Sequence, residues 1–213
     1  VLGLSYKNKK CGSFGDISTF SFYANKQVTT GEGGMISVNN LSLYKKCSSL
    51  RNLCFGKFNR FDHDDLGWNY RMTNIQASLG LSQLQNIKKV IKKKMNIGNY
   101  YFQKLKKNKN LQILPPSNSF SKNIYWVVGI VIKKKKIKVK TIMKKLLSYG
   151  IQTRPFFWPM NEQKIFKKLK IFDNSKYPNS KYLSRCGFYL PSYLKLKNKE
   201  IDYICSIVNK IIV

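Results

Sequence analysis

The sequence predicts an α/β protein, and three observations carry that expectation. A β-rich run, Ile17 to Phe22, leads into a loop with three glycines and then into a second short strand, Met35 to Val38. Thr73 opens the clearest amphipathic helix in the chain. Beyond Pro115-Pro116, strand-like and helix-like segments alternate, which is the texture of a small α/β domain from about residue 108 onward.

Each element has its own reason. Ile17 to Phe22 is rich in residues that suit a pleated surface, and Ala24 to Gly34 reads as a loop because Gly31, Gly33 and Gly34 fall inside it. Leu41 to Asn52 has helical spacing. Residues 55–70 are polar, aromatic and without a period, and a loop that long in a compact domain is usually functional or disordered. Thr73 with Gln76 three residues on makes a capping box. Leu84, Ile87, Ile91, Met95, Phe102 and Leu105 then recur at close to a helical period, with a break expected near Gly98.

Ile124 to Ile132, the longest apolar run, predicts a buried strand, and the basic run Lys133 to Lys136 its turn. Thr141 to Tyr149 predicts a helix closed by Gly150 at the C′ position, followed by a short edge strand over Ile151 to Thr153. Asn198 to Ile212 predicts a terminal helix with Ile201, Ile204, Val208 and Ile211 on one face. There is no internal repeat.

Composition bounds the classes. With 213 residues, 43% of them apolar and 14% aromatic, the chain can bury a real core, and global disorder is excluded. No apolar stretch is long enough for a membrane-spanning helix, and no signal peptide is visible. The first residue is Val1 and not Met, which fits an N-terminus lying upstream. Five cysteines without paired zinc spacing point to free thiols in a reducing cytoplasm. His63 is the single histidine, so a histidine-based metal site is not expected, and His63 itself reads as a satisfied loop residue.

A net charge of +31 admits two accounts. One is a nucleic-acid-binding module, because a basic surface condenses onto phosphate backbones. The other is compositional drift, and the arginine usage favours it. Only Arg51, Arg60, Arg71, Arg154 and Arg185 stand among 40 basic residues, whereas phosphate and base recognition recruits arginine for its bidentate geometry. The lysines travel with Asn and Ile and occupy helix positions that read as solvent-facing, as in Lys88, Lys89 and Lys92 to Lys94. A surface of this sign would also favour small anionic ligands such as nucleotide-sugars.

The chemistry concentrates in residues 12–34. A strand ends at Ser21-Phe22 and delivers a hydroxyl at its tip, and Lys26 follows in a loop terminated by a glycine-rich turn. Glycines let a backbone pass close to a bound ligand, and a lysine desolvated in such a pocket can act as a nucleophilic amine.

The order of residues adds a resemblance. Ser-Phe-Tyr-Ala-Asn-Lys at 21–26, followed by Thr-Gly-Glu-Gly-Gly-Met at 30–35, resembles the cofactor-lysine motif of the DegT/DnrJ/EryC1/StrS sugar aminotransferases. Leu-Gly-Trp-Asn-Tyr-Arg-Met-Thr-Asn-Ile-Gln-Ala at 66–77 resembles a second motif of that family. Gly-Ile-Gln-Thr-Arg-Pro-Phe-Phe-Trp-Pro-Met at 150–160 is similar to the matching stretch of its perosamine-forming members, which aminate a GDP-linked 4-keto-6-deoxymannose, and Leu190-Pro191-Ser192 also fits. The resemblance runs over essentially the whole chain.

It implies a fold-type I enzyme dependent on pyridoxal 5′-phosphate. Residues 1–107 would be the end of the large cofactor domain with its connecting helix, and residues 108–213 a small C-terminal α/β domain. Lys26 would be the catalytic lysine, holding the cofactor as a Schiff base and moving the proton between cofactor and substrate carbons. Ser21 would bind the cofactor phosphate, and Asn69 the phosphate of the neighbouring subunit's cofactor, in a homodimer with shared active sites. Arg71 lies in the same segment without an assigned role. Arg154, Phe156, Phe157 and Trp158, with Asn161, would wall the sugar or nucleotide; the alternative for that aromatic cluster is core or interface. Asn161 replaces a histidine found in many relatives, which bears on the substrate and not on the cofactor.

The implied reaction moves an amino group from glutamate, released as 2-oxoglutarate, to a keto-sugar nucleotide for a surface polysaccharide such as O-antigen. No metal, membrane or nucleic acid is expected to take part. A relative that dehydrates its sugar carries histidine in place of the lysine, so Lys26 argues against that activity. The family's acidic partner for the pyridine nitrogen would fall before Val1, so the chain by itself is expected to be inactive. A basic nucleic-acid-binding module and a non-catalytic truncated member of the family remain the alternatives.

Overall fold

The computed structural model describes residues 2–133, 138–172 and 176–213. The chain divides into two compact units, Val1–Ile91 with Ser119–Lys122, and Lys92–Asn118 with Asn123–Val213.

In the first unit β1 (Ser5–Tyr6) and β2 (Lys9–Lys10) form a tight hairpin, turned by Lys7 and Asn8 at positive φ. β3 (Ile17–Ser21) pairs antiparallel with β4 (Gly34–Val38), placing Ser21 opposite Gly34, so the expected strand–loop–strand is the one observed. α1 (Leu41–Arg51) starts where the Asn40 side chain accepts from the Ser42 and Leu43 N–H groups. α2 (Asn74–Gln85) carries the expected capping box: Thr73 Oγ1 accepts from the Gln76 N–H and Gln76 Oε1 from the Thr73 N–H.

The long helix does break, but at Asn86 and not near Gly98. The Asn86 N–H closes α2 on the Gln83 and Leu84 carbonyls, and its own carbonyl then accepts from Lys89 and Val90 to start α3 (Ile87–Leu105). Gly98 stays inside α3 for a packing reason. The Tyr125 ring lies 2.1–2.5 Å from where a Cβ would stand.

The rest of the second unit is built from β5 (Leu111–Ile113), β6 (Val128–Ile132), α4 (Val139–Ser148), β7 (Arg154–Pro155), α5 (Lys164–Lys168), α6 (Pro178–Cys186), β8 (Gly187–Leu190) and α7 (Asn198–Ile211). Its sheet runs β5-β6-β8-β7 with every pair antiparallel. Val128, Ile130 and Phe188 on the sheet meet Leu146 of α4, Ile201 and Val208 of α7, and Tyr101 and Leu105 of α3 in one buried cluster. α7 therefore buries the face read from its spacing, with Ile211 only partly covered. α4 ends as expected. Gly150 at φ 74° donates to the Leu147 carbonyl and Ile151 to the Leu146 carbonyl, a Schellman closure.

Two of the expected strands have other boundaries. The apolar run is strand only from Val128, because Tyr125 takes φ 47° and turns its ring onto Gly98. The edge strand is Arg154–Pro155, not Ile151 to Thr153, since Ile151 is spent in the helix closure; proline, lacking an N–H, is tolerated at an edge. The turn expected over Lys133 to Lys136 falls, from 134 on, outside the described residues. A further correction concerns burial: Lys94, read as solvent-facing, is buried.

Candidate functional site

The loop between β3 and β4 begins where the Phe22 N–H donates to the Gly33 carbonyl and the Thr30 N–H to the Phe22 carbonyl. Phe22, Val28 and Thr30 point into the unit, while Lys26 is half-buried on a turn closed by its own N–H to the Tyr23 carbonyl. Ser21 stands at the strand tip with its Oγ accepting from the Tyr23 N–H at 3.3 Å, which leaves the hydroxyl proton to donate outward. Gly33 has φ 151°, and a Cβ there would stand 2.4 Å from Thr30 Oγ1, so the motif's glycine is required by both backbone and space.

Helix α2 grips this loop from one side. Gln83 accepts from the Thr29 N–H at 3.1 Å and donates to the Thr29 carbonyl at 2.7 Å. Gln76 Nε2 donates to the Glu32 carbonyl at 3.1 Å. Sequence reasoning saw Gln76 as a cap and as part of the motif at 66–77, and passed over Gln83; the seven-residue spacing of two glutamines on one helix was the available signal.

The segment bearing Asn69 is laid along the end of α1. Trp68 and Tyr70 donate to the Leu50 and Arg51 carbonyls, and Asn69 bridges Asn52. Gly67 permits this approach, for a Cβ would stand 2.6 Å from the Cys54 nitrogen. Asn69 is exposed, and its Oδ1 accepts from Arg71 Nε at 3.0 Å, which gives Arg71 a partner the sequence did not reveal. His63 Nδ1 donates to the Leu53 carbonyl, the satisfied loop role expected of it.

In the second unit the Arg154–Asn161 segment splits in character. Arg154 is exposed on β7. Phe156 is half-buried, its ring filling the space a Cβ would need at Gly129 and Gly187 of the sheet. Phe157 is exposed and stacks parallel to Trp126 at 6.5 Å. Arg185 covers one face of Trp158 at 4.3 Å and pairs with Glu162, while Asn161 lies in the short 3-10 turn Met160–Glu162. Lys94 Nζ donates to the carbonyl of Ser192 at 2.5 Å and to its hydroxyl at 3.2 Å, and burial draws its pKa down to about 8. The five cysteines are free thiols. Among the described residues no group of acidic, cysteine or histidine side chains could hold a metal, and no helix is long and apolar enough to cross a membrane.

The donor set suits pyridoxal phosphate: a half-buried primary amine for an aldehyde, a strand-tip hydroxyl for an anion, and a buried Gln27 Nε2 that has no acceptor.

Comparison with known proteins agrees. Residues 1–209 match the DegT/DnrJ/EryC1/StrS aminotransferase family. A GDP-perosamine synthase of Escherichia coli O157:H7 is 36% identical over 213 residues, covering 99% of this chain and 56% of that protein. One of Vibrio cholerae is 34% identical over 209 residues, covering 98% of this chain and 56% of that protein. Among solved structures, Helicobacter pylori PseC, an aminotransferase involved in pseudoaminic acid biosynthesis, superposes with a TM-score of 0.90 at 27% identity, covering 100% of this chain and 57% of that one. The chain thus spans little more than half the length of the relatives it matches. Its mixed α/β architecture is that of the fold-type I sugar aminotransferases.

Proposed function

The chain belongs to the DegT/DnrJ/EryC1/StrS aminotransferase family, and on that premise we propose that it is the lysine-bearing part of a pyridoxal-phosphate-dependent sugar aminotransferase with Lys26 as its catalytic lysine. The observation that carries the reading is the half-buried Lys26 on a glycine-closed loop one turn beyond the Ser21 hydroxyl. When bound, pyridoxal phosphate supplies an aldehyde for condensation with amines and a conjugated ring that accepts the electron pair left when a C–H bond breaks.

Lys26 would hold that aldehyde through Nζ and would serve as the base that moves a proton at the donor's α-carbon. The Ser21 hydroxyl would donate to the phosphate. Asn69, whose Oδ1 is held by Arg71, would offer its amide protons to the phosphate of a second subunit's cofactor. A homodimer with shared sites is part of the reading, and the exposed Ile75, Leu79 and Leu81 of α2 support it.

The donor in this reading is glutamate, the acceptor a GDP-linked 4-keto-6-deoxy sugar for a surface polysaccharide, and the enzyme works in the cytoplasm. The identity of 36% to a GDP-perosamine synthase favours that sugar. Arg154, Phe157, Trp158 and Asn161 contact the nucleotide-sugar, and Phe156 braces them from the sheet.

Borohydride reduction of the full-length protein with added pyridoxal phosphate, followed by peptide mapping, tests the lysine. One pyridoxyl adduct on the peptide bearing Lys26, lost in Lys26→Arg together with about 10³-fold of kcat/KM for the GDP-sugar, is the expected result. Label spread over the surface lysines, or unaltered turnover in Lys26→Arg, would overturn the assignment.

A further inference from the structure

We propose that Gln83 and Gln76 are positioning residues for Lys26, acting through the backbone of the cofactor loop. The inference rests on the reading of Lys26 as the cofactor lysine.

The loop from Phe22 to Gly33 is long, and apart from Phe22 and Val28 it has little apolar anchorage. Its position therefore depends on hydrogen bonds, and α2 supplies long-range ones at Thr29 and Glu32. Gln83 engages both polar groups of Thr29 with one side-chain amide, accepting at 3.1 Å and donating at 2.7 Å, as a neighbouring strand would. Gln76 donates to the Glu32 carbonyl at 3.1 Å while its Oε1 stays in the capping box. Between them Gly80, buried and without a side chain, lets Thr30 Cγ2 come within 3.0 Å of where a Cβ would stand.

Gln76, Gly80 and Gln83 are spaced four and three apart, one stripe of a helix. That stripe is polar where a packing helix would be apolar, and it meets the loop at Thr29, Thr30 and Glu32, three to six residues past Lys26. A bidentate amide fixes both translation and rotation of the residue it holds, so the turn carrying Lys26 is set by α2. The same α2 follows directly on the segment of Asn69 and Arg71. A reacting amine displaced by a fraction of an ångström loses rate steeply.

Two isosteric changes separate this role from general stability. Gln83→Glu keeps the acceptor for the Thr29 N–H and removes the donor to the Thr29 carbonyl. Gln76→Glu keeps the capping box, where glutamate is equally suited, and removes the donor to the Glu32 carbonyl. Gln83→Leu serves if the half-buried carboxylate prevents folding. In the cofactor-free intact protein, amide exchange over residues 22–34 should rise about tenfold in the Gln83 variants and less in Gln76→Glu. With cofactor, kcat should fall about tenfold at an unchanged KM for the sugar nucleotide, and the pH midpoint of borohydride trapping at Lys26 should shift. Exchange, kcat and trapping midpoint equal to the parent's would overturn the proposal, as would a lowered thermal midpoint with all three intact. A parent that labels at Lys26 while the variants behave like it sinks this inference alone. A parent without that label sinks the underlying reading as well.

Discussion

The two units hold their shape by different physics. In the second, Val128, Ile130, Phe188, Leu146, Ile201 and Val208 are essentially inaccessible and share one cluster, so its sheet and helices are specified by apolar burial. In the first, the buried apolar side chains among the described residues are few: Phe22, Val28 and Cys54. Within this chain, which spans little more than half the length of its relatives, the first unit shows instead side chains bonded to backbone, such as Asn40 on Ser42, Thr73 on Gln76 and Gln83 on Thr29. Directional bonds can hold a loop open to a ligand, which a close-packed core cannot do, and Lys26 sits in the unit of the first kind.

The contrast is sharpest for apolar deletions. Phe188→Ala, within the core of the second unit, is expected to cost about 4 kcal/mol in denaturant unfolding. Ile36→Ala on β4, where the side chain is 52% exposed, should cost no more than about 0.5 kcal/mol. Equal losses would mean that the first unit has a core of its own, and the comparison would fail.

Lys94 tests the second unit from the other direction, because a cation is buried there with no carboxylate paired to it among the described residues. Burial lowers its pKa from 10.5 to about 8. Between those values the unfolded chain holds the proton and the folded one does not, so stability rises with pH through that window and the penalty is complete below it. Measured against Lys94→Met, the parent should gain about 2 kcal/mol between pH 7 and pH 10.5. A pH-independent difference would show that Lys94 reaches solvent.

The smallest effect belongs to the first unit's bonds taken singly. Asn40→Ala removes the two N-terminal bonds of α1 and should cost about 1 kcal/mol by thermal unfolding, with Asn40→Ser recovering most of it. A loss several times larger would mark the cap as part of a network.

Much of this was legible in the sequence, and the legible parts share a cause. The capping box at Thr73, the closure of α4 at Gly150 and the buried stripe of α7 all follow from groups within a few residues of one another. Hydrogen bonds of that range and the period of a helix are written in the chain itself. The family motifs around Lys26 and Asn69 are likewise local strings, and the family they pointed to is the one the chain belongs to.

What the sequence left open depended on partners far away. The break of the long helix was expected at Gly98, but Gly98 exists to receive Tyr125, and the same contact delays β6 to Val128. Lys94 sits in a run that reads as solvated, yet it bonds to Ser192, 98 residues on. Gln83 has no local signature, and its partner Thr29 lies 54 residues away. Capping determined where α2 begins and where α4 ends, and periodicity which face of α7 is buried. Tertiary contact alone decided which lysine is buried and which glutamine holds the loop, because burial and pairing depend on segments that folding, and not the order of residues, brings together.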